Sequence, residues 1–389
     1  MTAPLRGAVR LACHPLRVKE LRVDQGTHMR RAIELAERGW GRVSPNPLVG
    51  AVVVRDEMVV GEGWHEGPGL PHAEVMALRE AGRRAQGATL YTTLEPCDHF
   101  GRTPPCTRAL IAAGVTRVVV ATLDPNLGED EPGARELRDA GIEVETGLLA
   151  REAERQNEAF LTHVRTGRPF VVLKMAGTLD GKAAARDGSS KWITGEAARA
   201  DVQRLRAWAD AIAVGSGTAL ADEPSLTVRD PAYVDARPPL RVLIDTSGRA
   251  PARGNLFDAA APTLVATTGL APDARLAEWR DAGADVVVLD RDASGGVSLP
   301  ALVEHLGKRD VQGLLVEGGP SLAWSAVRDG IVDKVVFYLA PLLAGGAGAR
   351  SVIAGGGFAP IGESKRVEIA SVERIGDDLR VEAYVHRDR

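Results

Sequence analysis

The sequence has little cysteine, few aromatic residues and no long apolar run, and each scarcity excludes a class of protein. Three cysteines in 389 residues are too few for a disulfide framework and suit a reducing compartment. No apolar stretch approaches the roughly 20 residues of a membrane-spanning helix. Aromatic residues make up 4% of the chain and the net charge is −4, which argues against the stacking surfaces and basic patches that bind nucleic acid. We therefore expect a cytoplasmic protein with neither nucleic acid nor membrane as a partner.

The length of the chain and one breaker motif predict two domains. At 389 residues the chain exceeds the usual size of a single domain. The breaker at Gly167–Pro169 gives the expected boundary, with domains over residues 26–168 and 169–389. We interpret residues 1–25 as an N-terminal extension and not a secretory signal, because any apolar core is interrupted there by basic side chains, among them Arg6, Arg10, Arg17 and Lys19.

A compact group of metal-binding residue types lies in the first half. His72 is followed two residues later by Glu74, and Cys97 and Cys106 come after Pro96. An imidazole and two thiolates bind Zn²⁺ tightly and leave the fourth tetrahedral position for water, whose pKa the metal lowers towards neutrality. A glutamate in this position carries protons in hydrolytic deamination. The pattern therefore predicts a zinc deaminase, although eight residues separate the cysteines where the usual motif has two.

Each of these residues also has a structural interpretation. Isolated cysteines in intracellular proteins commonly behave as buried apolar residues. Two of the three cysteines, however, lie within one ten-residue window close to the His-x-Glu pair, which favours metal ligation. Cys13 lies outside any motif and receives no role. His65 and His99 are spare ligand candidates that a three-ligand catalytic zinc does not require.

The order of predicted elements indicates two α/β domains. In the first, alternating strands and helices predict a three-layer α/β/α domain, with His72, Cys97 and Cys106 at helix starts that face one end of the sheet. One continuous helix is expected over residues 150–165. In the second, strands and helices alternate until the two final strands, which have no helix between them. This pattern predicts a mostly parallel sheet with an antiparallel edge.

Three glycine-bearing segments that follow predicted strands indicate a ligand-binding edge in the second domain. They lie at residues 215–218, 317–321 and 345–348, and each is expected to be a loop. Glycine lets a backbone approach a ligand closely, and a helix that opens at Pro320 offers free N–H groups to a phosphate. None of the segments fits the Gly-x-Gly-x-x-Gly dinucleotide fingerprint. The residues by themselves predict a phosphate- or nucleotide-binding α/β domain and no particular reaction.

Several motifs, taken together, resemble those of the bifunctional deaminase–reductases of riboflavin biosynthesis. In the first half these are Ser44–Gly50, Pro71–Glu74 and the widely spaced Cys97–Cys106 segment, which is the most specific. The second half contributes Leu173–Met175, Leu179–Gly181, Trp192–Thr194, Leu220–Pro224 and Val316–Pro320. The resemblance runs from about residue 26 to the C-terminus. It implies a cytidine-deaminase-like zinc domain, a dihydrofolate-reductase-like domain that uses NADPH, and a homo-oligomer, either dimer or tetramer.

The resemblance also implies two consecutive reactions on a phosphorylated pyrimidine. The first domain would hydrolytically deaminate 2,5-diamino-6-(5-phosphoribosylamino)pyrimidin-4-one. Glu74 would carry the protons, and the zinc ligands would be His72, Cys97 and Cys106. The second domain would then use NADPH to reduce the ribosyl chain to ribityl.

Further residues receive ligand-binding roles from the resemblance. Asn46 would position the pyrimidine in the first domain, and in the second Lys174 and Asp222 would assist ring opening or protonation. The arginines of the second domain suit the substrate phosphate, and the full substrate set there is Ser190, Arg206, Arg229 and Glu317. NADPH would be surrounded by Ala176, Trp192, Thr218, Asp222, Thr246, Gly318, Gly319, Pro320 and Ser321.

One segment of the first domain departs from the family pattern. Where the family has a neutral turn, this chain carries Glu129, Asp130 and Glu131. We expect their negative charge to affect the binding of the phosphorylated deaminase substrate.

Two other functions also fit parts of the sequence. One alternative is a zinc deaminase of another base or nucleotide with a nucleotide-binding C-terminal domain. The other is a structural zinc site beside a nucleotide-binding regulator. A closed structural site normally needs four ligands, and the sequence offers three.

Overall fold

Two β-sheets organise the protein. The computed structural model describes residues 25–101, 104–127 and 130–385, with one sheet of five strands and another of nine. Residues 1–24 of the predicted extension, with Cys13, and Glu129 of the acidic segment lie outside the described residues. Over the described ranges, no helix is both long and apolar enough to cross a membrane.

The five-stranded sheet begins with a tight hairpin and continues with parallel strands. β1 (Gly50–Arg55) and β2 (Met58–Trp64) pair antiparallel through Asp56 and Glu57, whose φ angles of 48° and 62° suit a two-residue hairpin turn. The other strands are β3 (Thr89–Leu94), β4 (Arg117–Thr122) and β5 (Glu143–Thr146). The spatial order is β2-β1-β3-β4-β5, and the last three strands are parallel.

Helices cover both faces of this sheet. One face packs against α1 (Gln25–Ala36) and α5 (Ala150–Gln156). The other face packs against α2 (Ala73–Ala81), α3 (Cys106–Ala112) and α4 (Pro132–Asp139). The predicted three-layer α/β/α architecture of the first domain is thereby confirmed.

The helix predicted over residues 150–165 is two helices. α5 ends at Gln156, and α6 (Glu158–Thr166) follows after Asn157. Asn157 leaves the helical conformation with φ −109° and ψ 19°, and its side-chain amide bonds to the N–H and the carbonyl oxygen of Leu48, at 2.8 Å each. The prediction of one helix is wrong. The break coincides with the hydrogen bonds between Asn157 and Leu48, which lie 109 positions apart, and local helix propensity does not reveal such a contact.

Glycine residues let α2 lie directly on the β1–β2 hairpin. A Cβ atom on Gly63 would lie 2.2 Å from the carbonyl oxygen of Ala73, and one on Gly61 would lie 2.2 Å from that of Ala77. Only a residue without a side chain fits such contacts. The first turn of α2, which follows His72, is therefore held against the hairpin.

The second sheet is parallel except at one edge. Its strands are β6 (Phe170–Thr178), β7 (Ala211–Gly215), β8 (Leu240–Ile244), β9 (Thr263–Thr267), β10 (Asp285–Val288), β11 (Gly313–Val316), β12 (Lys334–Ala340), β13 (Val367–Ile375) and β14 (Asp378–Val385). They lie in the order β10-β9-β8-β7-β11-β6-β12-β14-β13. The strands from β10 to β12 pair in parallel, whereas β14 and β13 pair antiparallel. The prediction of a parallel sheet with an antiparallel edge is confirmed.

Helices also cover both faces of the second sheet. α7 (Glu196–Trp208) and α9 (Asp273–Asp281) pack on one face, and α10 (Leu299–Gly307) and α11 (Pro320–Arg328) on the other. A further helix, α8 (Ser216–Asp222), follows β7 directly. The expected loop at residues 215–218 is therefore wrong. Serine and glycine are poor helix formers, so local propensity hides this short helix.

The breaker segment leads from α6 into β6. Gly167 ends α6 with a left-handed φ of 69°. Arg168 then donates two hydrogen bonds of 2.8 Å to the carboxylate of Asp333, whose Oδ2 also accepts the N–H of Val171 at 2.8 Å. The chain thus enters the second sheet through an ion pair with a buried carboxylate.

We expect Gly63→Ala to lower the free energy of unfolding by about 1–3 kcal/mol, because the added methyl group would push α2 off the hairpin. Denaturant titration followed by circular dichroism measures the change. Gly269→Ala is the matched control, since a Cβ atom there meets no atom within 4 Å. Equal stability of the two variants would contradict the close contact.

Candidate active sites

One histidine and two cysteines lie together at one end of the five-stranded sheet. His72 immediately precedes α2, Cys106 is the first residue of α3, and Cys97 lies in the loop after β3. The prediction that Cys97 also lies at a helix start is wrong, because residues 97–101 form no helix and α3 begins only at Cys106. Its sulfur instead accepts a hydrogen bond from the backbone N–H of Cys106 at 3.4 Å.

The geometry of this cluster fits a tetrahedral metal ion. The ligand atoms all lie within 4.8 Å of one another. His72 Nδ1 is 3.2 Å from Cys106 Sγ and 3.5 Å from Cys97 Sγ, close to the roughly 3.5 Å between ligands that zinc bond lengths imply for a tetrahedron. Among the described residues, no further histidine, cysteine or acidic side chain joins these three as a fourth possible ligand. Three protein ligands and one open position are typical of a catalytic zinc.

The two thiols differ in their affinity for a proton. A hydrogen bond between them lowers the pKa of Cys97 to about 4 and raises the pKa of Cys106. The hydrogen bond to Cys97 also raises the pKa of His72. The lowered pKa of Cys97 favours its thiolate form, which is the form that binds a metal.

Glu74 lies beside the cluster with an unsatisfied carboxylate oxygen. The residue is 3% exposed, and its Oε2 has no hydrogen-bond partner in the part of the chain that the structure describes. Burial raises the pKa of Glu74 to about 7, against the attraction of His72. A carboxyl group with a pKa near neutrality can take up a proton and return it. An orphaned buried oxygen also indicates that a ligand completes the site.

The spare histidines stay outside the ligand cluster. His65 is buried, which lowers its pKa, and its Nε2 lies 2.9 Å from the side-chain amide of Asn46. The His65 ring meets the His72 ring edge-on, with centroids 5.5 Å apart. His99 is exposed and lies 3.5 Å from Asp98. Asn46 is thus brought near the cluster through His65, whereas His99 points to solvent.

Two residues without a predicted role, Glu95 and Gly133, support the Cys97 loop. Glu95 is buried and accepts the N–H groups of Ala134 at 3.0 Å and Asp124 at 3.3 Å. A Cβ atom on Gly133 would lie 2.0 Å from the carbonyl oxygen of Pro96, so α4 can contact this loop only through a glycine. The position of Glu95 in the Glu-Pro-Cys motif could have identified it from the sequence. Its hydrogen-bond partners, however, lie in α4 and in the segment before α4, so its supporting contacts could not have been predicted.

A second cleft, of about 710 Å³, lies at the carboxyl ends of β6, β7 and β11. This edge of a parallel sheet is the usual ligand site of α/β proteins. Residues predicted to contact substrate or to assist the reaction line it, namely Lys174, Ser190, Arg206, Asp222, Arg229 and Glu317. Most of the residues predicted to bind NADPH also line it, namely Ala176, Trp192, Thr218, Gly318, Gly319, Pro320 and Ser321.

A buried ion pair lies in this cleft. Arg206 donates to both carboxylate oxygens of Glu317, at 2.7 and 2.9 Å. Burial by itself would raise the pKa of Glu317, but Arg206 and Lys174 hold it below its usual range. Burial lowers the pKa of Lys174. The guanidinium group of Arg206, which the resemblance assigned to substrate, therefore faces Glu317. Arg229, the other arginine of the predicted substrate set, also lines the cleft.

The predicted cofactor residues come from several segments of the second domain, and all of them except Thr246 line the cleft. The N–H of Gly319 donates to Thr218 Oγ1 at 3.1 Å and so joins the start of α11 to α8. Trp192 is 71% exposed, with the guanidinium of Arg199 4.6 Å from its ring centroid. Thr246 does not line this cleft. Its carbonyl oxygen accepts a hydrogen bond of 2.8 Å from the loop after β9.

Three residues that the sequence did not single out also line the cleft. Lys191 lies 3.8 Å from the carboxylate of Asp222. Tyr338 and Arg350 come from β12 and from the loop after it. No local motif marks Tyr338, because only the order of strands places β12 beside β6.

Two family models match the chain, one in each half. Residues 23–122 match the cytidine and deoxycytidylate deaminase zinc-binding region. Residues 169–381 match the RibD C-terminal domain. The first match includes the His-Cys-Cys cluster, and the second includes the cleft that contains Glu317.

Known proteins match almost the whole chain. It is 44% identical over 357 residues to riboflavin biosynthesis protein RibD of Bacillus amyloliquefaciens, covering 92% of this chain and 95% of that protein. The solved structure of Acinetobacter baumannii RibD, form 2, matches with a TM-score of 0.81 and 38% identity, over 93% of this chain and 98% of that one. A Thermotoga maritima structure, described as a diaminohydroxyphosphoribosylaminopyrimidine deaminase/5-amino-6-(5-phosphoribosylamino)uracil reductase, matches with a TM-score of 0.82 and 36% identity, over 93% and 98%.

These matches decide between the functions that the sequence left open. Both halves match one two-domain family, so neither a deaminase of another base nor a structural zinc protein accounts for the whole chain. The family joins a zinc-dependent deaminase to an NADPH-dependent reductase. The chain belongs to the RibD family of bifunctional deaminase–reductases of riboflavin biosynthesis.

Proposed function

We propose that this enzyme deaminates 2,5-diamino-6-(5-phosphoribosylamino)pyrimidin-4-one in a first domain over residues 26–168. A second domain over residues 169–389 then reduces the ribosyl chain of the product to ribityl. One observation carries the proposal: a single chain combines a three-ligand cluster beside Glu74 with a large cleft that contains the Arg206–Glu317 pair. The substrate class follows from the description of the related Thermotoga maritima protein.

In the first site the chain holds zinc and moves protons. The ligands are His72, Cys97 and Cys106, and zinc, when bound, lowers the pKa of water towards neutrality. Glu74 takes a proton from the attacking water and passes it to the departing amino group, which leaves as ammonia. Asn46, held against His65, positions the pyrimidine. The net change replaces one amino group by one oxygen.

In the second site the chain opens the sugar and protonates it. NADPH, when bound, supplies a hydride to C1′. As the bond from C1′ to the ring oxygen breaks, the attached nitrogen gives up its proton to form the open imine, and the ring oxygen takes up a proton to become a hydroxyl. Reduction of the imine would then add the hydride at C1′ and a proton at the nitrogen. Lys174, whose pKa burial lowers, and Asp222 assist this opening and protonation. Glu317 contacts the sugar beside the nicotinamide, and the other substrate contacts come from Ser190, Arg206 and Arg229.

We further propose a cytoplasmic homo-oligomer, dimer or tetramer, formed through the antiparallel edge of the second sheet. An apolar cleft of about 730 Å³ opens beside β13 and β14. Near it, Ile361 is 91% exposed, and Val367 and Ile369 on β13 are 47% and 63% exposed. Apolar patches on an edge strand are typical of a surface that a second copy covers. The thiolate ligands suit the reducing cytoplasm.

We expect Glu74→Gln to lower kcat for ammonia release by about 10²–10⁴-fold, because an amide cannot carry the proton. Zinc content, measured by metal analysis, and NADPH oxidation with the already deaminated substrate should stay at wild-type levels. Glu80→Gln, at an exposed position on the same helix, is the control and should retain both activities. Loss of both activities in zinc-replete Glu74→Gln protein would contradict the division of labour between the sites.

The converse separation is expected for Glu317→Gln. Loss of a charged hydrogen-bond acceptor should lower kcat/KM for NADPH oxidation by about 10–100-fold, while ammonia release is unchanged. Glu363→Gln, at an exposed position outside the cleft, serves as the control. A parallel fall of both activities would show that Glu317 supports the whole fold and not the second site.

We expect Ile369→Lys to dissociate the oligomer, because a charged side chain would have to be buried at the proposed contact. Sedimentation velocity should then show the mass of a single chain. Val234→Lys is the control, since Val234 is 78% exposed away from this edge. An unchanged sedimentation coefficient for Ile369→Lys would place the assembly contact elsewhere.

A further inference from the structure

The turn that carries Asn46 is bonded to the second domain. The N–H of Asn46 donates to the carbonyl oxygen of Val43 at 2.8 Å and closes a four-residue turn. The side-chain amide of Gln312 donates to the carbonyl oxygen of Pro45, in the same turn, at 2.6 Å. Gln312 immediately precedes β11 and is 6% exposed. This hydrogen bond joins residues 267 positions apart and links the second sheet to the edge of the zinc site.

Gln312 is itself held firmly in place. Its backbone N–H donates to Asp210 Oδ2 at 2.8 Å, and the next N–H, of Gly313, donates to the same oxygen at 3.1 Å. Its carbonyl oxygen accepts the N–H of Phe170 at 2.7 Å. The other carboxylate oxygen of Asp210 pairs with Arg237. Because these bonds fix the backbone of Gln312, its side-chain amide is a firm support for the residue it contacts.

Contacts continue from the turn to the metal cluster. The side-chain amide of Asn46 lies 2.9 Å from His65, whose ring lies against that of His72. At the other end of the same segment, Asn157 bonds to both backbone polar groups of Leu48. The segment from Pro45 to Leu48 is therefore clamped at two points, and the clamp at Pro45 comes from the second domain.

We infer that Gln312 is a positioning residue for the deaminase, through which the second domain completes the substrate site of the first. It bonds to the Pro45 carbonyl and so fixes the direction of Asn46. The inference rests on the proposed function, because it requires Asn46 to contact the pyrimidine. Gln312 is neither one of the three metal-cluster residues nor a lining residue of the second cleft, so its effect on deamination passes through the turn.

The test compares two substitutions of Gln312 in the full-length, zinc-replete enzyme. Gln312→Met keeps a similar length and removes the donor, and Gln312→Glu keeps the shape and replaces the donor by an acceptor. Each leaves the Pro45 carbonyl without its partner, so the KM for deamination should rise about five- to tenfold. kcat should change little, since Glu74 and the metal ligands are untouched. Zinc content and NADPH oxidation with the deaminated substrate should stay at wild-type levels.

A control variant at the same junction is Glu37→Gln. It removes an exposed ion pair with Arg204, in which the charged atoms are 3.8 Å apart, and leaves the bond to Pro45 intact. Its KM for deamination should equal that of the wild-type enzyme. A comparable rise in KM for Glu37→Gln would overturn the inference, because any disturbance of the junction would then have the same effect.

Two other outcomes would also overturn the inference. One is an unchanged KM for deamination in both Gln312 variants. The other is a parallel fall of deamination and NADPH oxidation, or a loss of zinc, since Gln312 would then support the fold in general. Failure of the wild-type enzyme to release ammonia from the diaminopyrimidinone substrate is a separate result, because it would refute the proposed function and not the role of one residue within it.

Discussion

Direct contact between backbone segments, with no side chain between them, is the constraint on which the first active site depends. α2 touches β2 through Gly63, and α4 touches the loop before Cys97 through Gly133. These two contacts place His72, Glu74 and Cys97 relative to one sheet. A metal site tolerates errors of only about half an ångström, and closely packed backbones leave little room for such errors. The geometry of the His-Cys-Cys cluster therefore depends on two glycines as well as on the residues of the cluster itself.

The two active sites contain the same residue type in opposite electrostatic surroundings. Glu74 is buried with one oxygen unpartnered among the described residues, so burial dominates and raises its pKa to about 7. Glu317 is also buried, but Arg206 grips both of its oxygens and keeps its pKa low. The first carboxyl group can exchange a proton near neutral pH, whereas the second stays ionised and can only accept hydrogen bonds or orient a neighbour. These environments support the roles proposed for the two residues, proton transfer for Glu74 and substrate contact for Glu317.

The sequence predicts those parts of the structure that local patterns determine. Local patterns predict the alternation of strands and helices in the second sheet and a helix that opens at Pro320, where α11 begins. Short motifs also single out His72 and the two cysteines, which the fold brings together.

What could not be predicted depends on long-range contacts. The helix break at Asn157 coincides with bonds to a residue 109 positions away, and the support of Pro45 by Gln312 spans 267 positions. No periodicity or motif encodes such pairs. The assignment of Thr246 to the cofactor came from resemblance alone and stays a prediction. The residue is not among those that line the cleft.

The hydrogen bond from Gln312 to Pro45 also has a consequence for the order in which the chain is made. Translation proceeds from the N-terminus, and domains fold largely as units while the ribosome is still at work. The first domain can therefore fold before Gln312, 267 positions downstream, is available to donate a hydrogen bond to the Pro45 carbonyl oxygen. If Gln312 positions Asn46 as inferred, we expect a nascent or truncated chain to bind the first substrate weakly. The chain would then reach its full deaminase activity only when the second domain, which consumes the product, has folded.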